Sequence, residues 1–438
     1  MMRSFGVLTL VAMMSAVAIA GDTGMIRLAG TPEQIGTQWG QLHRETIARD
    51  VEASLKKAAK ANVTREMIIE RSARFLEIAL EIAPHWVEEA RATARAAGVD
   101  EELYVALIDG ESRSRYLHEC TSYAVSRDQT RDGLILFHKN RDNTDRPQVA
   151  PMLESSLEGI HKFIAVSNVG PLRCSMMVNE KGLAGSGDYP ADRKKDSSTL
   201  KLPPADPQYR GLMAGTILRH IAERASSCAE ALAILEDFVA KGYYAGGDVN
   251  GSHWLFVDRT GAILEVCNNS RHIVSKTHTQ KAYFSRLNNS AAARKLREAK
   301  EPIDFSTFHN ISRDPSICFR TSISGMTVEI DPDHPELLTC AWIALPARTV
   351  AFPVLMGQSH IPACLADGMA NQLGKKGPAQ ADHWAAVERS IHADKEALKV
   401  ELAASIEAGN PHTAHVEALN QWSQQQAQKL VQELASAP

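Results

Sequence analysis

The hydrophobic period of this chain changes at Cys120, and that change limits how the 438 residues can be layered. Upstream the spacing is helical. Thr31-Pro32-Glu33 is a helix start, with a capping residue, Pro in the first turn and an acid beside it. Ile35, Trp39, Leu42 and Ile47 then recur on one helical face. Thr64 to Ala97 continues as helix, broken near Pro84 and closed by Gly98, and Asp100 caps a further helix running toward Leu117. Residues 21–119 are thus expected to be nearly all α. From Cys120 the pattern turns strand-like, with expected strands at 120–127, 133–139, 162–168, 174–186, 252–258, 262–268, 281–286 and 323–330. Asp258-Arg259-Thr260-Gly261 makes a hairpin turn. Helices are expected at 208–224 and 226–241, and 187–207 reads as an exposed loop and a lid over a pocket. Gly374 to Pro378 reads as a linker, followed by helix split at Gly409-Asn410-Pro411. The organisation expected is a helical segment (21–119), a strand-rich core (120–375) and a terminal helical hairpin (376–438). Strands held between helical blocks imply an α+β layered-sheet fold.

Residues 1–20 stand apart. Arg3, an apolar run from Phe5 to Ala18, and Ala18-Ile19-Ala20 before Gly21 have the form of a secretory signal peptide. The apolar run is short for a membrane span. The expectation is therefore a periplasmic or secreted protein with no membrane association after signal removal. A net charge of −4, with no basic stripe, excludes a nucleic-acid footprint and leaves a small molecule as the expected ligand. Of seven cysteines, Cys120 is the natural odd one out. Cys174, Cys228, Cys267, Cys318, Cys340 and Cys364 supply either up to three disulfides or buried free thiols.

Cys120 opens the strand-like run Cys120-Thr121-Ser122-Tyr123, and the return strand Leu134-Ile135-Leu136-Phe137 ends in Lys139-Asn140-Arg141-Asp142. A hairpin of this kind returns a cation and a carboxylate to the thiol. An interior thiol can attack the carbonyl before it, here that of Glu119, by an N→S acyl shift. Hydrolysis of the ester then leaves Cys120 at a new N-terminus. Its α-amine, with a pKa of roughly 7.7–8.0, suits general-base work. Lys139 is the expected cation lowering the thiol pKa, and Asp142 the expected acceptor for the new ammonium. Asn179, at a strand end before Gly182, and Asn288, after another strand, are the expected oxyanion donors.

These residues carry a family resemblance. Cys120-Thr121-Ser122, Lys139-Asn140-Arg141-Asp142 and Asn179-Glu180-Lys181-Gly182-Leu183 resemble motifs of the cysteine N-terminal nucleophile (Ntn) hydrolases. They resemble especially the acyl-coenzyme A:6-aminopenicillanic acid acyltransferase family and, more distantly, choloylglycine hydrolases and penicillin V acylases. Gly30-Thr31-Pro32-Glu33-Gln34-Ile35-Gly36, with Gly40, resembles the start of that family's propeptide, and the likeness covers about 30–350. It implies an αββα four-layer sandwich, cleavage before Cys120, two chains that stay associated, and an activity on linear amide C–N bonds. Lysine stands where the family has arginine, which loses the planar fork, and Leu287-Asn288-Asn289 departs from the family's Asn-His element.

No motif asks for a cofactor or metal. His412 and His415 share a helical face without an acidic partner. The acidic turn Asp331 to Glu336 is broken by prolines, and Gly182 to Gly187 lacks the following helix that a dinucleotide site needs. Three activities remain open: a self-processed amidohydrolase or acyltransferase, an unprocessed cysteine hydrolase using His253 as base, and a silent binding protein.

Overall fold

The structure is a computed structural model. It describes residues 24–109, 120–143, 147–188, 200, 202–206, 208–245, 251–279, 283–285, 291–299, 302–375 and 381–436. Residues 1–23, Glu119 and Asn288 lie outside this set, as does 189–199, most of the expected lid.

The described residues open with a strand, β1 (Gly24–Gly30), which the expectation of nearly all α for 21–119 did not include. Five helices follow: α1 (Pro32–Leu42), α2 (Arg44–Lys60), α3 (Arg65–Ile82), α4 (Pro84–Ala97) and α5 (Glu101–Asp109). Thr31 and Gln34 close a capping box on α1. Gly36 and Gly40 let α1 lie directly on α4, since an added Cβ would stand 2.1 Å from Glu89 O and 2.4 Å from Thr93 O. The glycines of the propeptide-like motif are thus explained by helix contact. Pro84 starts α4, and Gly98 ends it at a φ of 76°.

The strands that follow are β2 (Thr121–Val125), β3 (Ile135–Asp142), β4 (Gln148–Ser155), β5 (Phe163–Asn168), β6 (Met176–Asn179) and β7 (Ala184–Asp188). After α6 (Ala214–Arg224) and α7 (Cys228–Ala240) come β8 (Ser252–Val257), β9 (Ile263–Asn268), β10 (Ile273–His278) and β11 (Tyr283–Ser285). Then come α8 (Ala291–Glu298), α9 (Phe305–Ile311), β12 (Ser322–Ile330), α10 (Pro335–Leu338), β13 (Cys340–Ala344) and β14 (Phe352–Leu355). Four helices finish the chain: α11 (Ala363–Ala366), α12 (Met369–Lys375), α13 (Ala381–Glu407) and α14 (His412–Ser436).

One sheet runs β1-β4-β5-β6-β7-β8-β9-β10 and the other β11-β2-β3-β12-β13-β14. Among the described strand pairs, β1–β4 is parallel and the rest are antiparallel. The sheets face each other through β2 and β3 against β7 and β8. Helices α1, α6 and α7 cover the outer face of the larger sheet; α8, α9 and α14 cover that of the smaller. The result is an α+β fold of four αββα layers. Trp384, Ile391, Leu419 and Leu430 of the last two helices join the same core cluster as the facing strands.

Several expectations need correction. The run 174–186 is two strands, parted by the turn at Gly182. Strand β4 was not anticipated because Pro151 interrupts its pattern; the β4–β5 register skips from Val149 to Met152 around it. Strand β14 holds Pro353 at a sheet edge, where a missing donor is tolerated. Gly374 and Lys375 belong to α12 rather than a linker. None of the seven cysteines is joined in a disulfide, so the disulfide alternative falls.

Candidate active site

Strands β2 and β3 set the site through their alternation. Ser122 stands opposite Lys139, and both point toward the larger sheet, where Asp188 at the end of β7 receives them. Tyr123 and Asn140 point the other way, donating to Phe308 O at 3.1 Å and Ser312 O at 2.7 Å in the α9 region. His138 shares that outer face, bonded to Thr327 and Asn140, and burial lowers its pKa to about 3, so it stays neutral.

Cys120 sits just before β2, 8% exposed, in the wall of a cleft of about 440 Å³. Lys139, Arg141 and Asp142 line the same cleft. So do Ile47, Asp50, Val51 and Ser54 of α2, Tyr104 and Leu107 of α5, the segments Ser167 to Pro171 and Arg173 to Ser175, and Met213 to Gly215 at the start of α6. The helices before Cys120 therefore form one side of the cleft and the sheet ends form another. Hairpin geometry brings Cys120, Lys139 and Asp142 together as the sequence spacing suggested.

The detail differs for Lys139. Its Nζ stands 2.9 Å from Asp188 Oδ1 and donates to Ser175 O and Gly187 O, each at 2.8 Å. An ammonium has three N–H donors, and these three acceptors match them. The lysine charge is thus paired with a carboxylate, and its fixed contacts run to two cleft residues rather than to the thiol. Asp188 also accepts from Ser122, which lies 3.1 Å from Ser186 Oγ. Asp188 was missed because it falls at the start of 187–207, read as an exposed loop, whereas the strand Ala184–Asp188 carries it buried into the sheet.

Asp142 accepts a hydrogen bond from Ser322, its ladder partner on β12. Arg141 reaches the larger sheet, where Nη1 donates to Gln148 Oε1 at 3.0 Å and Asn168 Oδ1 at 2.8 Å. Gln148 Nε2 donates to the same Asn168 oxygen, so the Asn168 amide is oriented from two sides. Arg141 entered the sequence reading only as part of the run Lys139-Asn140-Arg141-Asp142, with no role of its own, and period-two alternation with Lys139 is the signal that places it in the cleft.

Asn179 is placed elsewhere. Its Nδ2 donates to Ala222 O at 3.0 Å and Ala225 O at 2.7 Å, and its Oδ1 accepts from Lys181 N and Leu183 N. All of its capacity is spent tying the β6–β7 turn to the end of α6, and it is absent from the described cleft lining. Among the described residues, Asn143 and Asn168 are the asparagines of that lining. His253 pairs through Nε2 with Glu265 Oε1 at 3.1 Å and is likewise absent from the described lining. Cys174, the second thiol of the cleft, is held protonated because burial raises its pKa.

A buried polar cluster behind the cleft joins the two halves of the chain. Arg219 of α6 donates twice to Glu89 of α4, both at 2.7 Å, and at 2.8 Å to Glu223. His85 and Trp86 of α4 also reach Glu223. Burial alone would raise the Glu223 pKa, but Arg219 and His85 hold it at about 2. Elsewhere Glu329, His392 and Glu396 bring ligand atoms within 4.8 Å of one another. Lys395 Nζ stands 2.9 Å from Glu329 Oε2 and 2.6 Å from Glu396 Oε1, which already supplies a cation there.

No family model matches the chain, and no curated protein matches its sequence. Solved structures do align. A penicillin V acylase from Agrobacterium tumefaciens matches at 13% identity and a TM-score of 0.38, over 54% of this chain and 86% of that one. A conjugated bile acid hydrolase from Clostridium perfringens matches at 12% identity and 0.36, over 54% and 92%. An N-acylethanolamine-hydrolyzing acid amidase ortholog from Caenorhabditis elegans matches at 10% identity and 0.34, over 50% and 94%.

Proposed function

We propose that this chain is an exported, self-processing hydrolase of a linear amide bond, working through an S-acyl intermediate on Cys120. The observation that supports it best is the shared cleft: thiol, carboxylate and a fixed lysine lie in one wall, with room for a small molecule. In this reading the bond between Glu119 and Cys120 breaks first, freeing the α-amine of Cys120. That amine takes the thiol proton, and Sγ attacks the substrate carbonyl. The ammonium then gives its proton to the departing amine, and water, activated by the same amine, releases the acid. Asp142 holds the ammonium. Lys139 acts by position, fixing Ser175 O and Gly187 O. Asn168 replaces Asn179 as the side-chain donor offered to the oxyanion. The cut segment stays attached, because β1 is laddered to β4 and Glu89 is clamped by Arg219.

Intact mass and N-terminal sequencing of purified, active protein test this reading. The expected result is two associated chains, one beginning Cys-Thr-Ser-Tyr, and a single inactive chain for Cys120→Ala. An active preparation that remains one chain refutes self-processing.

A further inference from the structure

Strand β3 is held from both sides. Its inner face carries Lys139 and Arg141 into the cleft, and its outer face carries His138 and Asn140. On that outer face a chain of buried side chains runs from β3 through β12 to α9. Asn140 Nδ2 donates to Ser312 O at 2.7 Å, and Asn140 Oδ1 lies 2.9 Å from His138 Nε2. His138 Nδ1 and His309 Nδ1 each lie 2.8 Å from one atom, Thr327 Oγ1. Thr327 is the ladder partner of His138 on β12. Beyond it, His309 Nε2 stands 3.4 Å from Glu388 Oε2 of α13, a carboxylate that also accepts from Arg313 and from the Ala351 N–H.

One backbone carbonyl fixes the protons along this chain. Ser312 O can only accept, so the Asn140 amide turns its nitrogen toward it and its oxygen toward His138. That oxygen also only accepts, so His138 carries its proton on Nε2. Burial keeps His138 neutral, which leaves Nδ1 bare, and the Thr327 hydroxyl donates to it. The Thr327 oxygen then accepts from His309 Nδ1–H. Reversing any one link sets two acceptors or two donors face to face, which is costly in a buried site. His138, Asn140, Thr327 and His309 are all absent from the described cleft lining, so they serve the strand and not a ligand. Asn140 stands opposite Thr121, the residue after Cys120.

We propose that Thr327 is a positioning residue for Cys120: with His138 and His309 it locks the outer face of β3, so that the thiol, Lys139 and Arg141 keep their places in the cleft. The lock is anchored in α13 through Glu388, which makes the C-terminal helices part of the working enzyme. The effect on turnover rests on the Cys120 reading, while the hold on β3 stands on the chain of bonds itself.

The test compares Thr327→Val, which keeps the shape and removes the hydroxyl, with Thr327→Ser, which keeps the hydroxyl. Turnover of octanoyl-p-nitroanilide is measured per folded, processed molecule of the full chain. In Thr327→Val kcat should fall by about 10–100-fold, the scale of an ångström-level misplacement, with KM within about threefold of wild type. Thr327→Ser should restore most of the loss. Gly36→Ala, which loses stability at the α1–α4 contact outside the described cleft lining, should leave kcat unchanged. Hydrogen exchange read by mass spectrometry gives a readout independent of activity: the peptide covering β3 should exchange about tenfold faster in Thr327→Val, and β4 to β6 should not. Should Thr327→Val fail to fold, NMR of the wild type with isotope-labelled histidine decides, since His138 must be the neutral Nε2–H form. Unchanged kcat, no rescue by serine, an equal kcat loss in Gly36→Ala, unchanged exchange in β3, or His138 protonated on Nδ1 each overturns the proposal. Failure of the Cys120 reading looks different: wild-type turnover is absent or survives Cys120→Ala, and the hold on β3 is then judged by exchange and the His138 proton alone.

Discussion

Asp188→Asn isolates the ion pair that anchors the site. Lys139 and Asp188 are 2.9 Å apart, with side chains 2% and 1% exposed. At an effective dielectric near 20, that separation gives a gross attraction of about 6 kcal/mol, much of it offset by the cost of drying two charges. Removing one partner of such a pair typically costs about 3–5 kcal/mol, because the other charge is stranded. Asparagine keeps one oxygen for the ammonium on Oδ1, while its NH2 in place of Oδ2 can donate to Ser122 Oγ, so the lower end, about 3 kcal/mol, is expected. The double change Lys139→Met with Asp188→Leu removes both charges and should cost well under the sum of its parts. Urea unfolding of wild type, both single variants and the double variant reads this as a double-mutant cycle. A loss below about 1 kcal/mol for Asp188→Asn, or strict additivity in the cycle, would refute the argument. The pair would then be a solvated contact with no hold on Ser175 and Gly187.

Asn179→Ala should lower stability by about 1–3 kcal/mol by stranding Ala222 O and Ala225 O, while thiol labelling of Cys120 per folded molecule stays unchanged. A large fall in labelling or turnover with stability intact would return Asn179 to the chemistry. Gly36→Ala should cost about 1–3 kcal/mol or more, because its Cβ would meet the backbone of α4; an unchanged melting temperature contradicts the contact. Glu223 has its folded pKa depressed from 4.5 to about 2, so its contribution is complete above roughly pH 4.5 and is lost as pH falls toward 2. The loss is on the order of 3 kcal/mol, and Arg219→Met should flatten the corresponding slope in urea midpoint against pH.

What could be read along the chain were features that neighbours in sequence decide. The capped start of α1, the Pro84 break, the Gly98 stop, the hairpin at Asp258 to Gly261 and the return of Asp142 toward Cys120 all depend on local turn chemistry and side-chain period. The same local logic misjudged β1, whose seven residues become a strand only because β4 offers a parallel edge more than a hundred positions away. Charge pairing was equally hidden. Lys139 looked like a partner for the thiol, and only the stacking of two sheets brings Asp188 to its ammonium. Asn179 carried the right motif in the wrong place, because its amide is consumed by the carbonyls at the end of α6. Periodicity and turns act over a few bonds and are written in order along the chain. Which buried donor meets which acceptor depends on how layers stack, and that is decided only once distant segments share one core.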